Sequence, residues 1–260
     1  MDLGLKGRTA LITGASRGIG LATANLLAAE GCELHLAARD ESLLQAHKAR
    51  LKAAHGVKIH IHARDLSRTA EVEALGAACR DVDVLVNNAG DIPIGNLKQV
   101  DSKTWRESWD LKVFGYVDLT RIIYYAMVER RAGVIVNVIG AAGKNPNPDY
   151  IAGCMANIAL NMFTQCLGGE AMRHGVRVCA VNPGPINSDR HLKHVKEIAA
   201  KTLGDESRWP ELQAKFPAKR AGSVEEVANT IAFLASPRAS YISGASIKID
   251  GGLSVSKRTG

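Results

Sequence analysis

The chain has 260 residues, of which 46% are hydrophobic and 23% charged, ordinary values for a globular protein long enough to bury a core without disulfide or metal staples. Its five cysteines, Cys32, Cys79, Cys154, Cys166 and Cys179, are scattered, odd in number and never in a CxxC pair, which speaks against a disulfide framework and for reduced thiols. The formal charge of +7 is spread along the chain and no RNA- or DNA-binding module is legible, so nucleic acid is not an expected partner.

In chain order, the opening Met-Asp-Leu-Gly-Leu-Lys-Gly carries no apolar leader core, and no later run is expected to approach a membrane span. A cytoplasmic protein with no membrane partner is the expectation. Apolar runs predict strands at Arg8 to Thr13, Cys32 to Ala38, Val57 to His62, Val82 to Val86, Gly133 to Val138, Val176 to Val181 and Ser246 to Ile249. Between them, helical periodicity covers Gly18 to Glu30, closed by Gly31, then Glu41 to Ala54 and Thr69 to Cys79. A long helix is predicted over about Ser102 to Arg130, another over Tyr150 to Arg173, and a last one over Ser223 to Ala235. Repeated βα units with apolar strands predict an α/β fold. It is a doubly wound parallel sheet of seven strands, a Rossmann fold with helices on both faces. No linker interrupts residues 1–260, so one domain is expected. The stretch 185–220 breaks the rhythm: it reads as irregular and polar after a strand's carboxyl end, and predicts a flap over a ligand crevice.

The segment Thr13-Gly14-Ala15-Ser16-Arg17-Gly18-Ile19-Gly20 lies at the first strand-to-helix junction. Glycines there let backbone N–H groups approach a pyrophosphate, and the helix N-terminus adds partial positive charge. At the end of the second predicted strand stand Ala37-Ala38-Arg39, without the carboxylate that would bind an NAD ribose at Ala38. Arg39 and Arg17 can both pair with the 2′-phosphate of NADP, which makes NADP(H) the predicted cofactor. Asp40, one residue late, is the remaining argument for NAD.

The glycine spacing resembles that of the short-chain dehydrogenase/reductase superfamily, and further motifs follow in the same order. They are Asp65-Leu66, Asn87-Asn88-Ala89-Gly90, Asn182 to Ser188, Arg220-Ala221-Gly222, Phe233 to Ser236 and Asp250-Gly251-Gly252, so the resemblance spans nearly the whole chain. It implies an oxidoreductase moving hydride to or from a small carbonyl or alcohol. Gly14, Ser16, Arg17, Gly18, Ile19, Gly20 and Arg39 would then hold the phosphates. Asp65 and Leu66 would face the adenine, and Asn88, Ala89 and Gly90 its ribose. Pro183, Gly184, Ile186 and Ser188 would hold the nicotinamide end. The apolar helices at Ser102 to Arg130 and Tyr150 to Arg173 imply a homotetramer or homodimer.

The family's catalytic set is an asparagine, a serine, and a Tyr-x-x-x-Lys motif, and here the chain departs from it. Tyr150 matches the tyrosine, but Cys154 stands where lysine is needed, Gly140 replaces the serine, and Lys112 replaces the asparagine. A phenol has an ordinary pKa of about 10 and needs a nearby cation to work at neutral pH. The reading is therefore that Tyr150 is the acid–base group and Lys112, also a cofactor ligand, supplies the charge from a neighbouring helix. Asn145, Asn147 or a water could stand in for the missing hydroxyl. Two other uses stay open: a catalytically impaired NADP(H)-binding regulatory protein, and dehydratase or quinone reductase chemistry on the same fold. No metal is predicted. His60 with His62, and His191 with His194, each lack a third ligand. The basic group Arg190, His191, Lys193, His194 and Lys196 could attract an anionic substrate.

Overall fold

The computed structural model describes residues 2–143 and 146–256. Seven strands form one parallel sheet: β1 (Thr9–Thr13), β2 (Glu33–Ala38), β3 (Ile59–Ala63), β4 (Val84–Asn87), β5 (Gly133–Val138), β6 (Val176–Pro183) and β7 (Ser246–Ile249). Their order across the sheet is β3-β2-β1-β4-β5-β6-β7, and every pairing is parallel. The fold class read from the sequence stands. The chain leaves β1 toward β2 and returns to β4 on the other side, so the sheet splits its connections between those strands. In such sheets the ligand crevice opens at the strands' carboxyl ends at this switch.

Both faces of the sheet are covered, which is why the central strands are apolar throughout rather than alternating. On one face α1 (Gly18–Ala29), α2 (Glu41–His55) and α9 (Val224–Ala235) close over Ile12, Leu34, Leu36, Val86, Val136 and Val181. On the other, α3 (Thr69–Ala78) and α5 (Gly115–Glu129) cover Leu11, Leu85, Ile135 and Val178, while α6 (Ile151–Ala171) packs Ala152, Ala156 and Leu160 against Val113 and Tyr116. By length and composition Ile151–His174 could cross a membrane, contrary to the expectation that no run approaches a span. In the fold this helix lies against β6, with Ala152, Ala156, Leu160 and Ala171 buried. Its apolar composition serves the core.

Two predicted elements differ in kind. The long helix expected over about Ser102 to Arg130 is α4 (Ser102–Trp109) and α5 joined by a π-helical turn, Asp110–Phe114. Such turns are rare and recur at functional sites, and a 3.6-residue periodicity count cannot see one extra residue in a turn. The stretch 185–220, read as irregular, is largely helical. It contains α7 (Asp189–Leu203), a 3₁₀ turn at Glu206–Arg208 and α8 (Trp209–Gln213). Its charged, exposed faces hide the periodicity: only Val195, Ala199 and Gln213 are buried in these helices.

The base of this excursion is pinned to the start of α9. The Asn187 amide donates to the Gly222 carbonyl at 2.8 Å, and Gly222 donates to Pro185 at 3.0 Å. At the next residue Ser223 caps α9 in a reciprocal box: its Oγ accepts from the Glu226 amide, and the Glu226 carboxylate accepts from the Ser223 amide. Hydrogen bonds from Arg220 and from the Ser223 amide hold the Glu226 carboxyl down at about 2. The box is therefore intact above the ordinary carboxylate range and is lost only as pH falls toward 2. Ser223→Ala is expected to cost about 1 kcal/mol, lowering Tm by about 2–4 °C, as thermal unfolding followed by circular dichroism would show.

Candidate active site

The glycine turn after β1 is built by its neighbours. The Thr13 hydroxyl donates to the Val86 carbonyl and accepts from the Asn88 and Ala89 amides, at 2.9 and 3.0 Å. The Asn88 side-chain amide donates to the carbonyls of Thr13 and Gly14. His47, reaching from α2, bonds the Ser16 carbonyl at 3.0 Å. Gly14 and Gly18 have φ of +66° and +54°, a region that favours glycine, and a Cβ on Gly20 would run into the Gly14 carbonyl. Arg17 flanks α1 without a side-chain cap, so the first-turn N–H groups of that helix keep their donors for an anion.

Arg39 is exposed just beyond β2, and Arg17, also exposed, has its guanidinium 4.0 Å from the Asp40 carboxylate. Asp40 itself is occupied as the cap of α2, accepting from the Leu43 amide and the Ser42 hydroxyl. Asp65 accepts from the amide and hydroxyl of Ser67 in its own turn. The Leu66 side chain is buried in the core beneath α3 and α5, so its expected contact with adenine falls to its backbone.

At the other end lies a cleft of about 800 Å³. It brings together Ile19, Gly140, Tyr150, Pro183, Gly184, Ile186 and Ser188, with Arg190, His191 and His194 from α7 along one wall. Asn147 lines it too; Asn145 lies outside the described residues. Arg190 ties α7 to the loop after β4, with an ion pair to Asp91 at 2.8 Å and a hydrogen bond to the Ile92 carbonyl at 2.6 Å. That loop also meets the start of α6, where Gly95 and Tyr150 form a β-bridge.

Lys112 sits in the π-helical turn, its stem against Gly90 and its Nζ donating to the Ile139 carbonyl at 2.7 Å, one residue before Gly140. Burial, helped by the Arg190 charge, pushes this amine down to about 8. Tyr150 flanks α6 from outside, and burial pushes its phenol up. Arg190 pulls it down, while Cys154 and Asp91 push it up further. Among the described residues no hydrogen bond joins Lys112 to Tyr150.

Two residues on α6 were not singled out by the sequence. The Tyr150 ring lies over Gly153, so that a Cβ at Gly153 would overlap it. Asn157, 2% exposed, lines the cleft and donates to the Ala142 carbonyl at 2.7 Å; its Oδ1, beside Gly140, is buried without a partner. Cys154 does not line the cleft: its thiol faces the Asn147 carbonyl at 4.0 Å. The available signal was spacing alone. Gly153-x-x-x-Asn157 repeats the interval of Tyr150-x-x-x-Cys154 one helical turn later, but neither residue type announces the chemistry.

Residues 8–198 match the family model described as short chain dehydrogenase. The chain is 34% identical over 254 residues to the 3-oxoacyl-(acyl-carrier-protein) reductase of Vibrio cholerae, covering 96% of this chain and 99% of that protein. This chain is a short-chain dehydrogenase/reductase. Among solved members of the family, the L-sorbose reductase of Gluconobacter frateurii in complex with NADPH and L-sorbose matches with a TM-score of 0.92 at 33% identity, over 99% of this chain and 100% of that one. An NAD+-bound xylitol dehydrogenase matches with a TM-score of 0.87 at 25% identity, over 95% and 99%. The family supplies the activity class, an oxidoreductase on a Rossmann nucleotide-binding fold.

The residues present fit a dinucleotide: a glycine cradle that a Cβ would fill, an uncapped helix start, and an orphaned acceptor on Asn157 at the far end. Gly20→Ala, which drives a methyl group into the Gly14 carbonyl, is expected to weaken NADPH binding about tenfold or more. Fluorescence titration against the wild-type chain checks this.

Proposed function

We propose that this short-chain dehydrogenase/reductase is NADP(H)-dependent and interconverts a carbonyl compound and its alcohol. Tyr150 is its acid–base group and Lys112 its amine. Residues 1–260 act as one cofactor-binding unit, and the helical excursion 185–220 covers the cleft. The observation that carries the catalytic part is the seating of the Tyr150 ring over Gly153. This reading replaces the register that gives the Tyr-x-x-x-Lys positions to Tyr150 and Cys154: Gly153 and Asn157, one turn later in α6, hold them instead. Tyr150 returns a phenol to the cleft from outside the helix, and Lys112 returns an amine from the π-helical turn before α5.

When bound, NADP(H) supplies or accepts the hydride. The glycine turn and Arg17 and Arg39 bind its phosphates. Asp65, Leu66, Asn88, Ala89 and Gly90 border the adenosine half, and Pro183, Gly184, Ile186 and Ser188 the nicotinamide half. Asn157 Oδ1 takes a hydroxyl that would otherwise leave it buried and unpaired. Tyr150 holds a proton at its phenol for the substrate oxygen. Arg190 is the charge that draws the phenol down, and Lys112, whose amine burial pushes down to about 8, brings its ammonium beside Gly140 through the Ile139 carbonyl. Gly140 widens the space where a serine would hold that oxygen.

Two reasons support NADP(H) over NAD(H): the paired arginines, and an Asp40 carboxylate already engaged at the start of α2. NADPH is bound by the sorbose reductase and NAD+ by the xylitol dehydrogenase, so the preference rests on the arginines and not on the fold. Replacing both Arg17 and Arg39 with Glu is expected to raise Kd for NADPH at least about tenfold and leave NADH nearly unchanged. Equal losses for the two cofactors would remove the argument.

Tyr150→Phe and Lys112→Met are each expected to lower kcat by about 100-fold or more in NADPH oxidation with carbonyl acceptors, the scale of acid–base catalysis. In the wild-type enzyme the Lys112-dependent rate falls as pH rises through about 8, because the ammonium is lost. Lys112→Met has no such limb. A Lys112→Met enzyme with wild-type rates at every pH would falsify the assignment. Gly153→Ala, which displaces the phenol ring without touching its hydroxyl, should mimic Tyr150→Phe.

One observation favours a second reading, an NADP(H)-binding regulatory protein without turnover: the phenol is pushed up rather than down. Tight NADPH binding with no acceptor reduced would select it. For assembly, Tyr125 on α5 and Met155, Ile158 and Met162 on α6 are exposed apolar side chains that suit a homotetramer or homodimer. Ile158→Asp with Met162→Asp is expected to yield monomers in light scattering.

A further inference from the structure

Away from the cleft, at the β3 edge of the sheet, three side chains from separate parts of the chain meet. His35 on β2, His62 on β3 and Cys79 at the end of α3 place Nδ1, Nε2 and Sγ in a closed triangle. Its edges are 3.0 Å between the two nitrogens, 3.3 Å from sulfur to His35 and 3.5 Å from sulfur to His62. Among the described residues these three atoms have hydrogen bonds only to one another. None of the three residues lines the cleft.

We propose that His35, His62 and Cys79 bind a divalent transition-metal ion of zinc-like softness. Tetrahedral zinc holds nitrogen at about 2.0 Å and sulfur at about 2.3 Å, which separates its donors by about 3.3–3.6 Å. The observed triangle therefore needs to open by only a few tenths of an ångström along its shortest edge. Two imidazoles and a thiol are a donor set for zinc, and a poor one for magnesium or calcium, which demand oxygen. On binding, Cys79 gives up its thiol proton to solvent and the two imidazoles coordinate in their neutral form.

The surroundings supply what three ligands leave open. The His35 ring lies against that of His60 at 4.6 Å, and Glu33, His35 and His60 also offer donor atoms within 4.8 Å of one another. Glu33 accepts from His60 at 3.0 Å, so a carboxylate stands beside the outer face of the site. Arg64, whose charge reaches His62 and Cys79, is drawn off by Glu71 at 2.7 Å. Cys79 is 2% exposed, while His35 and His62 are half-buried, so an ion enters from the β3 side and water completes the coordination. It would clip β2, β3 and the end of α3 together, residues separated by 27 and 17 positions in the chain.

The test uses the full chain, reduced with a non-thiol reductant and stripped of metal. Titration with Co²⁺ is expected to give one equivalent bound with a thiolate-to-cobalt charge-transfer absorption, which Zn²⁺ displaces. Cys79→Ser is expected to lose that absorption, and both it and His62→Gln to weaken Zn²⁺ binding by about tenfold or more. A chromophoric chelator in competition measures that loss, and circular dichroism confirms a wild-type fold. A cobalt spectrum without the thiolate absorption overturns the proposal, as does Zn²⁺ affinity unchanged by Cys79→Ser. Should either variant fail to fold, the wild-type cobalt spectrum alone decides.

Discussion

The hinge of this molecule is the joint between β1 and β4. One threonine hydroxyl and one asparagine amide fasten the two strand ends where the sheet's connections diverge. Thr13 takes the Asn88 and Ala89 amides, and Asn88 takes the carbonyls of Thr13 and Gly14. Without those bonds the backbone polar groups at the end of two buried strands would be left unpaired, at a cost of about 1–3 kcal/mol each. With them, the glycine turn is fastened to the end of β4, while its Ala15 amide donates to the Ala37 carbonyl of β2. Asn88 is therefore a builder of the glycine turn.

A second polar chain carries this order to α5 and α6. Asn87 donates to Thr120 on α5 and to Asn137 on β5, and Asn137 donates to Thr164 on α6, all buried. Such a network fixes the rotation of both helices relative to the sheet, because a buried amide tolerates few alternatives. Lys112 precedes α5 and Asn157 rides on α6, so their approach to Gly140 follows from that rotation. The site is thus a joint product of sheet-end hydrogen bonds and helix orientation rather than of a contiguous motif.

Much of the fold was legible because it rests on short-range rules. The strand Gly133–Val138 is bounded as read, since a largely buried strand is mostly apolar, and so is the half-buried edge strand Ser246–Ile249, where Ile247 and Ile249 alternate with Ser246 and Lys248. The glycine turn was legible because only glycine fits its φ values and close approaches. Less was visible where long-range contacts decide. The π-helical turn at Lys112 leaves no periodic trace, and α7 and α8 bury too few residues to show one. Asn157 and Gly153 are ordinary helix residues until a tyrosine ring and a buried carbonyl are set beside them. His62 looked partnerless beside His60 because its neighbours, His35 and Cys79, come from a different strand and the end of a helix.

Local chemistry along the chain thus sufficed for the strands, the helices outside 185–220, the glycine turn and the family to which the protein belongs. Each of these depends on residues within one or two turns of each other. Tertiary packing alone decided which groups distant in sequence meet. It set a buried amine against the Ile139 carbonyl, a phenol over a glycine, and two histidines against a thiol. Hydrogen bonds and desolvation act over a few ångströms in space, whatever the separation in sequence, so their partners exist only once the sheet has closed.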